Sequence, residues 1–197
     1  MCWPDKTILL FFMDSPSHAL WTYALEKSFW PEFVKTNPGF LFVSLFFSIL
    51  PDLIVDAPFV LYLLFNKHKY HLKTFKEIIN FGYTIIQQKP LEYETLFPWS
   101  AKTAFYSHSF LTYFLIAIIL KLAYPETFLP FVVGYGIHLL IDIPLHNDYF
   151  SSKPFYPLSK IKIPGWLTWY HTKNFQKYNY ALLALVYIIL LSLNHGF

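Results

Sequence analysis

Residues 40–65 form an apolar run of 26 in which only Asp52 and Asp56 carry charge. About 20 apolar residues in a helix cross the hydrocarbon core of a bilayer, so this run is long enough to span one. The same property makes its carboxylates expensive, because an ionised group in hydrocarbon costs several kcal/mol unless a partner or a cation compensates. The run therefore asks for a membrane and for a reason to keep acids inside it.

The rest of the chain agrees. Hydrophobic residues make up 55% and charged residues 14%, against roughly a quarter charged in soluble domains. The expected fold is all-α, a multi-pass membrane helix bundle of about five apolar helices, forming a single integral-membrane domain over residues 1–197. Candidate spans are Lys6–Phe29, interrupted at Asp14-Ser15-Pro16-Ser17; Phe40–Phe65; Ala104–Leu122; Thr127 to about Ile143; and Tyr180–Leu193. Ser15-Pro16 reads as an N-cap and first helical residue. Pro51 and Pro58 are expected to split the second segment into a helix ending near Leu50 and another starting near Pro58. Pro144 should bend or end the fourth.

Two polar stretches, 66–102 and 147–177, read as loops, and within the first Thr74–Gln88 has the pattern of an amphipathic interfacial helix. Six lysines fall in the first stretch and five in the second. The positive-inside rule then places both loops in the cytoplasm, the N-terminus inside and the C-terminus outside. Lysines spread through loops exclude the clustered basic footprint of a nucleic-acid surface, so the expected partners are the lipid bilayer and a lipid-like substrate. The lone cysteine, Cys2, can form no intrachain disulfide. Trp21, Trp30, Trp99, Trp166 and Trp169 suit an aromatic belt, and His171 and His195 interfacial positions.

Chemistry concentrates in Gly136-Ile137-His138-Leu139-Leu140-Ile141-Asp142-Ile143-Pro144-Leu145-His146. Residues four apart share a helix face, so His138 and Asp142 point the same way, with His146 beyond. Imidazole nitrogen and carboxylate oxygen suit zinc or a similar divalent ion; the alternative is a hydrogen-bonded cluster that glues helices together. His18 at a helix start, Asp52 at a helix end and His108 in Tyr106-Ser107-His108-Ser109 add three further groups. The inferred topology brings all six to the cytoplasmic face. Asp56 could join as a second carboxylate, whereas His68 and His71, among lysines, read as headgroup contacts.

In order, these blocks form a series: Asp14-x-x-Ser17-His18-Ala19-Leu20-Trp21-x-Tyr23-Ala24, Leu50-Pro51-Asp52-Leu53, Tyr106-Ser107-His108-Ser109, His138-x-x-x-Asp142-Ile143-Pro144-x-His146, and Asp148-x-Phe150-x-x-x-Pro154-Phe155-Tyr156-Pro157-Leu158-Ser159 with Gly165-Trp166-x-x-Trp169. The series resembles the bacterial family of membrane-bound metal-dependent hydrolases, itself distantly similar to zinc-dependent phospholipase C. The resemblance implies metal-site positions at His18, Asp52, His108, His138 and Asp142, with His146 close by. It also implies metal-assisted hydrolysis of a lipid or lipid-linked phosphoester or ester, with Asp52 as ligand or general base and a divalent metal, zinc, as cofactor. Family members often carry Thr just before the positions of His108 and His146, where this chain has Ser107 and Leu145. The rival from another class is a non-catalytic membrane scaffold, or a metal- or proton-handling protein, that uses the His/Asp cluster structurally.

Overall fold

A computed structural model describes residues 14–147, 149, 151–167 and 174–194. Residues 6–13 of the first expected span, together with Asp148, Phe150, Trp169, His171 and His195, lie outside the described residues. The described chain is helical, with an isolated antiparallel bridge between Ser152 and Ile163. Its helices are α1 (Asp14–Phe29), α2 (Pro31–Thr36), α3 (Pro38–Phe65), α4 (Phe75–Gln88), α5 (Pro90–Leu96), α6 (Pro98–Ser107), α7 (Phe110–Ala123), α8 (Pro125–Leu145) and α9 (Phe175–Asn194).

Proline sets most of the joints. It occupies the first position of α2, α3, α5, α6 and α8, where its missing N–H costs nothing and its fixed φ suits a helix. The residue before each one is pushed out of the helical region, and so the preceding helix stops at Trp30, Asn37, Lys89, Phe97 or Tyr124.

Inside α3 the prolines act differently from expectation. Pro51 and Pro58 both lie within one continuous 28-residue helix, so the predicted split near Leu50 does not occur. An interior proline loses a ladder bond and crowds the carbonyl four residues back. Neighbouring helices make such a loss tolerable in an apolar environment, and α3 is the most heavily packed element, with α8, α1 and α6 around it. Asp52 consequently sits in mid-helix, one residue after a buried proline, not at a helix end.

The stretch 66–102 is likewise more than a loop. Thr74 caps α4 through a capping box: its hydroxyl accepts from the Glu77 N–H at 3.2 Å while its own N–H donates to Glu77 Oε2 at 3.3 Å. The amphipathic helix expected over Thr74–Gln88 is therefore present. Ile78 and Ile85 of α4, with Tyr93 and Phe97 further on, close a buried cluster around Phe59 and Leu63 of α3.

Three helices, α3, α8 and α9, are long and apolar enough to cross a membrane, and α6 with α7 makes a fourth candidate, bent by 64°. The expected count of five is not reached among the described residues, where the first segment contributes only the 16 residues of α1. Large apolar side chains face outward on these helices, among them Phe42, Phe114, Ile118, Leu185 and Ile188. In water such a surface would be a liability, and in lipid it is a match.

Candidate metal centre

Four segments distant in sequence converge on one point. α1 supplies His18, α3 supplies Asp52, the break between α6 and α7 supplies His108, and α8 supplies His138 and Asp142. His138 is fully buried, and His18 and Asp142 are 1% and 2% exposed. The side chains of Asp52 and His108 remain 17% and 23% exposed, so the cluster opens on their side.

Carbonyl oxygens orient two of the imidazoles. His138 Nδ1 lies 2.7 Å from the Ser48 carbonyl, and His108 Nδ1 lies 2.9 Å from the Ala104 carbonyl. A carbonyl only accepts, so each Nδ1 carries the proton and donates it. In the neutral ring, each Nε2 then presents a lone pair. Those two Nε2 atoms face each other at 3.2 Å. Around them Asp142 Oδ2 stands 3.1 Å from His138 Nε2 and 3.4 Å from His108 Nε2. Asp52 Oδ1 stands 3.4 Å from His108 Nε2 and 3.7 Å from His138 Nε2.

With both rings neutral, lone pairs would crowd together where mutual repulsion pushes them apart. Neither oxygen of the buried Asp142 accepts an aligned hydrogen bond, which is costly for a carboxylate away from water. A four-coordinate zinc ion with ligands at roughly 2.0–2.2 Å sets its donors about 3.3–3.6 Å apart. The measured separations of 3.1–3.7 Å bracket that value. Two overlapping sets, His108/His138/Asp142 and His18/Asp52/His138, each bring their donor atoms within 4.8 Å of one another and could hold an ion.

His18 joins from the second turn of α1. Its Nε2 is 3.3 Å from Asp142 Oδ1, and its ring lies against that of His138, with centroids 3.9 Å apart. Ser15, expected to cap α1, lies inside the helix and sends its hydroxyl across to Asp52 Oδ2 at 3.0 Å. That bond holds the second oxygen of Asp52 and leaves Oδ1 turned to the imidazoles.

His146 departs from the expected ligand set. It ends α8 as predicted from Pro144, but its Nδ1 lies 3.1 Å from the Asp142 carbonyl and so donates to it, which takes that nitrogen out of ligation. It stands at the rim, 3.4 Å from Asp142 Oδ1, and in neither converging set. Asp56, one turn beyond Asp52, is also outside both sets. His68 and His71 lie in the turn after α3.

The supports of the centre escaped the sequence. Tyr135 is buried and donates from its hydroxyl to the Ser107 carbonyl at 2.5 Å, fixing the turn that carries His108. Ser109 caps α7 by accepting from Leu111 N–H, and it donates to the carbonyls of Pro154 and Tyr156. Gly134 packs so closely on α3 that a Cβ there would fall 2.0 Å from the Ser44 carbonyl oxygen. At the rim, the N–H groups of Gly165, Trp166 and Leu167 donate to the carbonyls of His146 and Pro144, strapping the following segment over the end of α8.

Outside the helices that could span, Lys153 lies with Nζ 3.0 Å from the centre of the Phe105 ring, and Lys162 faces Tyr149. Burial first, and the neighbouring Lys162 charge next, bring the Lys153 amine down to about 8. Comparison with protein-family models, with curated proteins and with solved structures gives no match to this chain, so its geometry stands on its own.

Proposed function

We propose that this chain is a membrane-embedded hydrolase dependent on a divalent metal, zinc by donor chemistry, acting on a lipid or lipid-linked phosphoester or ester. One observation carries it: His108 Nε2 and His138 Nε2 crowd to 3.2 Å beside a buried Asp142 whose oxygens lack aligned donors. A cation resolves that conflict at once. His108, His138 and Asp142 would hold it, with His18 behind them. When bound, such an ion polarises a phosphoryl or acyl oxygen and lowers the pKa of a water toward neutrality.

The chain's own groups divide the remaining work. Asp52, on the more open side and steadied by Ser15, is placed to complete the ligand set or to take a proton from an attacking water. The Ser48 and Ala104 carbonyls keep the imidazoles in the metal-binding tautomer. Lys153, Lys160 and Lys162 would draw an anionic headgroup toward the mouth. An apolar groove of about 660 Å³ between α1, α8 and α9, lined by Trp21, Leu25, Ile141, Leu145 and Leu182, suits a hydrocarbon chain. In a bacterial inner membrane with the N-terminus inside, this centre would face the cytoplasm.

A second reading, non-catalytic interhelical glue, draws on the same burial: one proton between the two Nε2 atoms would also relieve their repulsion. Metal analysis of detergent-purified protein separates the two. Stoichiometric zinc, lost in His138→Ala and Asp142→Ala while both stay folded, is expected. Wild-type protein without zinc after loading would remove the metal and with it the proposed chemistry. Zinc-loaded protein screened on phospholipids and simple phosphodiesters then tests hydrolysis, and a reporter fused after Lys102 tests orientation.

A further inference from the structure

One buried acid lies apart from the centre. Glu26 is fully buried on α1, and Ser44 of α3 donates its hydroxyl to Oε1. Glu26 Oε2 and the hydroxyl of Thr22 are buried without a hydrogen-bond partner. These groups are not scattered. On α1, His18, Thr22 and Glu26 recur every four residues, and on α3 so do Ser44, Ser48 and Asp52.

The two series face each other. Ser15 bonds to Asp52 at one end and Ser44 to Glu26 at the other, so α1 and α3 run antiparallel with their polar faces matched level by level. Thr22, Glu26, Ser44 and Ser48 are each 0% exposed. At 1.5 Å per residue the α1 series, taken from Ser15 to Glu26, is about 16 Å long. One end opens at the partly exposed Asp52 and His108, and the other stops one turn short of the exposed Ser28, Phe29 and Trp30. The series thus covers about half of a hydrocarbon core of roughly 30 Å.

We propose that this stripe is a proton path through the membrane domain, with Glu26 as its proton-carrying group. The Glu26 carboxylic acid gives the proton on Oε2 to water at the exposed end of α1, becomes carboxylate, and is reprotonated from the Thr22 and Ser48 side through water in contact with those hydroxyls. One proton enters for each that leaves, and nothing is oxidised or reduced. A lone acid in hydrocarbon is costly when ionised and inexpensive when neutral, which suits a carrier that is charged only briefly. Elements packed against α1 bring Glu32 and Lys35 (α2), Asp52 and Asp56 (α3), Glu126, His138 and Asp142 (α8) and Lys177 (α9), while α1 itself carries Asp14, His18 and Lys27. The carboxyl itself is buried and takes the Ser44 hydroxyl as its hydrogen-bond partner. This goes beyond the hydrolase reading and does not depend on metal.

The full chain is reconstituted in phosphatidylcholine–phosphatidylglycerol vesicles enclosing a pH-sensitive dye, and a potassium gradient with valinomycin supplies the driving potential. Wild-type vesicles are expected to change internal pH several-fold faster than protein-free ones. Glu26→Gln, which keeps an acceptor for Ser44 but holds no exchangeable acid, should fall to the protein-free rate. Thr22→Val, nearly the same shape without the hydroxyl, should lie in between and serves as the deciding variant should Glu26→Gln fail to fold. Wild type at the protein-free rate, or folded Glu26→Gln or Thr22→Val at the wild-type rate, would overturn the proposal. None of these outcomes bears on zinc binding at His138 and Asp142.

Discussion

Gly134→Ala tests whether the crossing of α3 and α8 builds the centre. A Cβ at this position would lie 2.0 Å from the Ser44 carbonyl oxygen and 2.8 Å from its carbon. Carbon and carbonyl oxygen approach to roughly 3.3–3.6 Å at helix interfaces, so the two backbones must part by more than about 1 Å. Backbone cannot swing aside as a side chain can, which puts the overpacking cost at the upper end of about 1–3 kcal/mol. One turn along, His138 Nδ1 donates to the Ser48 carbonyl across 2.7 Å. The same displacement stretches that bond past useful length and leaves a buried polar group unmet, for about another 1–3 kcal/mol. For a chain of this size a kcal/mol moves the midpoint by about 2–4 °C, so thermal unfolding in detergent should fall on the order of 10 °C. Zinc binding should weaken with it, because His138 loses the bond that sets its tautomer. A variant with the wild-type midpoint and wild-type zinc affinity would refute the close crossing and the role given to Ser48.

Other consequences are more local. Asp142→Asn keeps shape but removes the charge shared by both imidazoles, and should abolish zinc binding; His146→Ala should retain it within a few-fold, as titration with a competing chelator would reveal. Tyr135→Phe deletes the hydroxyl that holds the Ser107 carbonyl and should cost about 1–3 kcal/mol, read as a lower urea or thermal midpoint. Lys153 is depressed to about 8 from 10.5. Between those values the unfolded chain binds the proton that the folded chain has released, so stability rises with pH across that window and the cost is fully present below about 8. Lys153→Met should flatten this slope in unfolding midpoints measured from pH 7 to 10.5; an unchanged slope would contradict the half-buried setting of the amine.

The class of fold was legible because hydropathy is additive along a chain: the apolar lengths of 40–65, 127–143 and 180–193 announce α3, α8 and α9 without tertiary knowledge. Asp142 four residues after His138 was equally plain, since helical spacing alone places them on one face. Proline was read poorly where it lies inside a helix, because the outcome at Pro51 and Pro58 depends on neighbours that sequence does not list. For His146 the spacing put a ring one turn past Asp142, but spacing does not decide which ring nitrogen remains available. The roles of Ser15 and Tyr135 could not be found because their partners are distant in sequence, and that of the Ser48 carbonyl because backbone acceptors leave no residue-type signal. Glu26 left one that went unused, the matching four-residue steps of 18-22-26 and 44-48-52.

Because the cluster draws on α1, α3, the α6–α7 break and α8, no fragment ending before Asp142 can contain it. A nascent chain would thread three of its four contributing segments into the bilayer while the pocket was still incomplete. Arrival of α8 assembles the donors in a single event while α9 is still to come, so occupancy of the centre would report that the helices up to α8 had found their places.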